Sequence, residues 1–354
     1  MAIERDERSV VRTGAGASLV LSDPAWLPRT YDTRSDTFDF FHVPRVAQQA
    51  ATFLEPRFLT GAPLHGPVPV AAFAEDELRA SAGPLHFIFH TSYCCSTVLA
   101  RAMDVPGVAM GLKEPSVLMS FAEHWGSARK RAGALPALRA ALDLLSRPLV
   151  EGEVHVIKPS NAFNPVIPYA LFARPDAKAV LMTSSLEGFL TAIIRRGPSG
   201  RTMVREVLYA FAPTIPLENE LTKEQMLLFD DLQAATLVWL MQIAFFDALA
   251  RRFGPERVRI LDGDTLISKP EATLAAVGGH FGLKPVDWAS IAAGPTFREH
   301  AKNSALPFNA SDHVRQRREA QSAYAAEMDA AIRWAGDVAA RFGVPRTLRE
   351  TIFG

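Results

Sequence analysis

Residues 84–103 read PLHFIFHTSYCCSTVLARAM. An apolar run, Leu85 to Phe89, passes into a short polar turn, His90 to Ser96, and then into an apolar-periodic segment, Thr97 to Met103. That is the pattern of a strand, a loop and a helix. A helix reached through such a turn leaves its first backbone N–H groups without intrahelical partners, with the positive end of the helix dipole behind them. The arrangement suits an anion, phosphate above all, and the hydroxyls of Ser96 and Thr97 add donors. The same pattern also fits a buried turn whose polar residues only cap the helix.

The segment SYCCSTVLARAM, residues 92–103, resembles the 5′-phosphosulfate loop of sulfotransferases. That loop runs Pro, Lys or Arg, Ser or Ala, Gly, two hydroxyl residues and Leu. Ser96, Thr97 and Leu99 match it, whereas Tyr93 takes the basic position and Cys95 the glycine position. A basic side chain there would neutralise charge on the bridging oxygen as the sulfuryl group leaves, and glycine permits torsions that cysteine resists. The resemblance implies that Ser92, Tyr93, Cys94, Cys95, Ser96 and Thr97 surround the donor, 3′-phosphoadenosine 5′-phosphosulfate. It also implies an α/β three-layer P-loop fold with a mainly parallel central sheet.

Four further apolar runs read as strands: Val108 to Leu112, Val154 to Ile157, Ala179 to Met182 and Val258 to Leu261. In doubly wound sheets ligands gather at the carboxyl ends of the strands. Lys113-Glu114-Pro115 follows the first of these runs, and sulfotransferases carry an acidic general base just after their second strand. The resemblance therefore makes Glu114 the base, with Lys113 supplying the charge missing at Tyr93. A surface ion pair ahead of Pro115 is the plainer alternative. Lys158 ends the second run and is a candidate for phosphate or sulfate contact.

The third run and its following helix resemble the segment that holds the donor's 3′-phosphate, but Ser184 stands at the arginine position and Ala192 at the serine position. Ser184, Ser185 and Thr191 remain as hydroxyl donors, with Arg195 and Arg196 one helical turn beyond Ala192. The stretch from Val258, with Asp262, Leu266, Pro270, Thr273-Leu274 and Phe281-Gly282-Leu283, is the most complete match and is chiefly structural. Asp262 and Asp264 read as helix caps rather than as magnesium ligands, and sulfuryl transfer requires no metal. Arg298, His300 and Lys302 fall in a segment similar to the basic loop that closes over the nucleotide.

Domain organisation is read as an N-terminal accessory segment, 1–82, packed on a sulfotransferase-like core, 83–312, followed by a C-terminal helix and tail, 313–354. The first segment is turn-rich, with one amphipathic helix carrying Val46, Ala50 and Phe53, while Trp26 and Tyr31 pack or line a cleft wall. Gly197 to Arg201 reads as a flexible turn, Glu224 to Phe253 as one long helix, and Asp312 as the cap of a last helix reaching Phe342.

Among 354 residues, 48% are hydrophobic and basic and acidic side chains balance at 38 each. That excludes a broad electrostatic footprint for nucleic acid or an anionic membrane. The two cysteines are adjacent, so a disulfide framework and a zinc site are both disfavoured, which fits a reducing cytoplasm. No export signal and no apolar run of membrane-spanning length are read. Three functions follow: sulfuryl transfer to a hydroxyl or amine of unknown identity; a binding or regulatory protein of the same fold without a donor site; and, less well matched, a nucleotide kinase or NTPase, which lacks its phosphate-loop lysine. Acceptor and oligomeric state have no readable code.

Overall fold

The computed structural model describes residues 16–128, 133–211, 224, 228–300, 303–307, 319–346, 348–349 and 351–353. In chain order the first elements are β1 (Trp26–Asp32), β2 (Thr37–His42), α1 (Arg45–Ala50), β3 (Leu64–Pro69), α2 (Glu75–Ser81), β4 (Leu85–His90), α3 (Ser96–Ala102), β5 (Ala109–Lys113), α4 (Val117–Ala128), α5 (Ala134–Leu145) and β6 (Val154–Lys158). Then come α6 (Ile167–Ala173), β7 (Ala179–Thr183), α7 (Leu186–Arg196), α8 (Pro198–Phe211), α9 (Asp231–Phe253), β8 (Val258–Asp262), α10 (Gly263–Ser268), α11 (Pro270–Phe281), α12 (Trp288–Ala292), β9 (Glu299–His300), β10 (Asn303–Pro307) and α13 (Ala325–Phe342).

The fold is α/β around a five-stranded sheet in the order β5-β6-β4-β7-β8, with parallel pairing of β5 to β6, β4 to β6 and β7 to β8. All five expected strands are present. Every residue of β4, β5 and β7 is buried, which is why these strands read as unbroken apolar runs rather than as alternating ones. Each strand extends one residue past its apolar run, so that His90, Lys113, Lys158, Thr183 and Asp262 form the strand ends.

Two compact units divide the chain. Unit 1 holds residues up to Phe87 and Met103–Ala177; unit 2 holds Ile88–Ala102 and Lys178 onward. In unit 1 the segment expected to be turn-rich instead forms a three-stranded antiparallel sheet, β1-β2-β3. Prolines 28, 63, 67 and 69 masked it, because proline is tolerated only at strand edges and ends and so reads as a turn. The amphipathic helix shrinks to α1, with Val46 exposed and Phe53 buried outside it. Phe38, Phe40, Phe121 and Phe163 are fully buried, and Tyr31 stacks on Phe121 with ring centroids 4.9 Å apart.

Unit 2 packs α7, α8, α9 and α13 around one apolar cluster that includes Phe189, Val204, Trp239 and Ala335. The long helix starts at Asp231, not Glu224. Asp230 accepts from the Gln233 amide while the Gln233 side chain accepts from the Asp230 amide, a reciprocal cap that fixes the first turn. Gly197 to Arg201 is not a free turn either, for Pro198 stands at the first position of α8, where its missing N–H is harmless. Gly282, in left-handed conformation at φ +69°, ends α11 as the Phe-Gly-Leu motif implies. The expected cap at Asp312 lies outside the described residues.

Candidate functional site

The loop between β4 and α3 is built on left-handed backbone. Ser92, Tyr93 and Cys95 have φ of +74°, +54° and +61°, in the region that normally belongs to glycine. Each such residue costs about 1–3 kcal/mol and persists only where its surroundings enforce it. The enforcement is visible within unit 2. The Thr91 amide donates to the Met182 carbonyl at 3.1 Å, the Cys94 thiol points at that same carbonyl, and the Ser92 amide donates to His90 Nδ1 at 3.1 Å. Gly263, the first residue of α10, lies against the Cys94 carbonyl so closely that a methyl group there would overlap it. Ser92 and Tyr93 are consecutive left-handed residues and Cys95 is a third, so the chain turns sharply between β4 and α3. Ser96 and Thr97, both buried, open α3, one residue earlier than the pattern indicates.

Tyr93 turns toward α7. Its ring lies 5.8 Å from that of Phe189, and the Arg196 guanidinium sits 5.2 Å from its centroid. Burial pushes the Tyr93 hydroxyl above its usual range, against the opposing pull of Arg196. Arg195 and Arg196 occupy the last turn of α7, where positive charge meets the negative end of the helix dipole. Ser185 caps α7 by accepting from the Gly188 amide, and the Thr191 hydroxyl donates to Glu187 within the helix. Ser184 differs from both. Its carbonyl accepts from Trp239 Nε1 at 2.9 Å, while its buried hydroxyl has no partner, a condition shared with the hydroxyl of Thr91. Of the closing set, Arg298 is exposed, His300 lies on β9 opposite Asn303, and Lys302 lies outside the described residues.

In unit 1, β5 and β6 end side by side, with Lys113 paired to Lys158 in register. The Glu114 amide donates to the Lys158 carbonyl at 2.7 Å, and Glu114 then takes a left-handed turn at φ +51°. That turn brings Glu114 Oε1 onto the ammonium of Lys158, whose side chain is 1% exposed. Lys113 goes elsewhere: its ammonium donates to the Gln49 carbonyl at 2.9 Å, and its charge acts on Asp104 beside Arg45. The structure thus pairs Glu114 with Lys158, while the Lys113 side chain turns away to Gln49.

Phe53, Glu55 and Arg57 join this pair without any forewarning in the sequence. The Leu54 amide donates to the Lys113 carbonyl at 2.7 Å and its carbonyl accepts from Ser116 at 3.0 Å, which lays the segment along the end of β5. Lys158 Nζ then sits 5.5 Å from the Phe53 ring centroid. The Glu55 carboxyl is pushed up by burial and by the negative charge of Glu114, while Arg57, in contact at 2.6 Å, and Lys158 pull it down. Among the described residues no group of three or more His, Cys, Asp or Glu side chains is placed to hold a metal ion.

Two solved structures are similar to this chain. One is the sulfotransferase domain from the curacin biosynthetic pathway, at 13% identity and TM-score 0.41 over 64% of this chain and 84% of that one. The other is sulfotransferase STF1 from Mycobacterium tuberculosis H37Rv, at 15% identity and TM-score 0.39 over 70% of this chain and 78% of that one. No protein-family model and no curated protein sequence matches the chain.

Proposed function

We propose that the chain transfers a sulfuryl group from 3′-phosphoadenosine 5′-phosphosulfate to a hydroxyl or amine acceptor. The observation that carries the reading is the Ser92–Cys95 loop, which holds left-handed torsions at three non-glycine positions directly after a fully buried strand. Strain of that kind, kept between a sheet strand and a helix, is the expected cost of aiming main-chain amides at an anion. The donor fits the polar atoms present. Ser96 and Thr97 would hold the phosphosulfate with the loop amides, and the unpartnered Ser184 hydroxyl supports a further acceptor-rich group nearby in unit 2. When bound, the donor supplies the sulfuryl group.

The remaining roles belong to the chain. Lys158 occupies Glu114 Oε1, so Oε2 is the oxygen left to take the acceptor's proton. Lys158 orients that carboxylate, and Lys113 has no part in this reading. Titration calorimetry with 3′-phosphoadenosine 5′-phosphate tests the donor site: saturable heat below millimolar ligand, weakened in Thr97→Ala, supports it, and no heat at millimolar ligand removes it.

A second reading is favoured by Tyr93. Its half-buried ring, with Arg196 drawn over it, stands where sulfotransferases place a basic side chain. Nucleotide binding without sulfuryl transfer to any hydroxyl or amine, and without donor hydrolysis, would identify a binding or regulatory protein of this fold.

A further inference from the structure

At the amino-terminal start of β4, unit 1 contains a cavity of about 660 Å3. It is bordered by the turn that precedes the strand, and none of its lining residues takes part in the transferase reading. Five charged side chains line it: Arg79, Arg139, Arg174, Asp143 and Asp176. Three guanidiniums thus face two carboxylates.

Arg174 is fully engaged by the fold. Nη1 donates to Asp143 at 3.0 Å and to the Ser146 hydroxyl at 2.9 Å, and Nη2 to the Gly83 carbonyl at 2.9 Å and to Asp176 at 3.2 Å. Its Nε reaches Asp176 at 3.3 Å, so all five N–H groups are used and both carboxylates are answered by this one cation. Arg79, from α2, and Arg139, from α5, also act on Asp143 but keep terminal N–H groups that the fold does not use. Arg139 touches the exposed Glu75 through Nη1 at 2.9 Å, which leaves Nη2 without a hydrogen-bond partner.

We propose that this cavity binds a small molecule carrying a phosphate or carboxylate group. The terminal nitrogens of Arg139 and Arg79 hold the oxyanion, and the uncharged body lies on Ala82, Pro84, Ala173 and Pro175. The volume falls within the range of about 300–1,000 Å3 usual for sites of organic ligands and far exceeds the needs of a bare ion. Guanidinium is the group best matched to such a head, because its fork meets two oxygens at once.

Calorimetric titration of the full chain with glucose 6-phosphate, citrate and inorganic phosphate, at constant ionic strength, tests the assignment. Saturable binding of glucose 6-phosphate or citrate is expected, weakened about tenfold or more in both Arg79→Ala and Arg139→Ala, the loss usual for one charge-assisted hydrogen bond. The stronger of the two ligands identifies the head group as phosphate or carboxylate. Neither arginine is buried, so both variants are expected to melt close to the parent. Absence of saturable binding at millimolar ligand overturns the proposal, as does binding that both variants keep. Binding lost instead in Thr97→Ala belongs to the β4–α3 loop and overturns it equally.

Discussion

Glu114 combines two unfavourable conditions in one residue: a left-handed backbone and a carboxylate serving a lysine that is shut away from water. A buried charge that loses its partner costs about 3–5 kcal/mol, whereas removing both partners for neutral groups of similar shape is close to neutral. Glu114→Gln and Lys158→Met are therefore each expected to lower the unfolding free energy by an amount in that range, and the double variant to recover most of it. Urea unfolding of the four proteins measures this, and additive losses would show that the pair does not act as a unit. On the transferase reading, Glu114→Gln also lowers turnover by about 100-fold or more while nucleotide affinity stays. Steady-state rates beside calorimetry separate the two effects. His155 on β6 makes a different prediction. Burial, and then the charges of Arg45, Arg174 and Arg147, push its pKa down to about 3 from an ordinary 6.5, and its Nδ1 has no partner. Between those values the unfolded chain binds a proton that the folded chain refuses, so this residue's contribution is whole above pH 6.5 and is lost as pH falls toward 3. The loss between pH 7 and pH 5 comes to about 2 kcal/mol. His155→Leu should flatten the dependence by that amount in paired urea titrations, and an unchanged slope would show that His155 takes no part in it.

Among the elements, legibility followed burial. Strands sheltered on both faces carry their signature as runs of Leu, Ile, Val and Phe, and all five central ones were readable together with the polar residues that end them. Glu114 and Lys158 became visible in the same way, as strand ends. The β1–β3 sheet was not readable, because its strands carry prolines and its pairing joins residues as distant as Phe41 and Leu64. Glu55 was hidden for the same reason: the backbone bonds that bring it to β5 span about sixty residues and leave no local pattern. The loop after β4 was legible as a turn, but its left-handed torsions were not, since they are imposed by contacts with β7 and with the start of α10. Gly263 is the position where that dependence can be tested. Gly263→Ala forces the Cys94 carbonyl to move, so a loss of about 1–3 kcal/mol is expected, the cost of overpacking a tight contact. If the loop is the anion cradle, affinity for 3′-phosphoadenosine 5′-phosphate falls as well, whereas Ala substitution at Gly279, inside α11 with open space around it, leaves the affinity unchanged and costs no stability. Equal behaviour of the two variants would mean that the contact does not shape the loop.

For the molecule as a whole, α9 is the one helix among the described residues whose length and composition would allow it to cross a membrane, although Gln242 and Asp247 interrupt its apolar run. What surrounds the helix decides its meaning. Ala234, Ala235, Leu237, Val238, Leu240, Met241 and Ile243 are buried on more than one side, against α7, α8 and α13. A helix apolar around its circumference is a core helix when protein covers it and a membrane span when lipid does. The ends carry the marks of the first case: a reciprocal polar cap at Asp230 and Gln233, Arg251 and Arg252 in the last turn, and Gly254 closing it. Transfer into a bilayer would also expose the buried, unpartnered atoms Thr236 Oγ1 and Gln242 Oε1 to hydrocarbon and would dissolve the cluster that positions Trp239 against Ser184. The full chain, expressed without detergent, is therefore expected in the supernatant after high-speed centrifugation, with Trp239 dominating a blue-shifted emission that Trp239→Phe removes. Recovery only from carbonate-washed membranes would reassign α9 as a span and dismantle the unit 2 core that holds the loop.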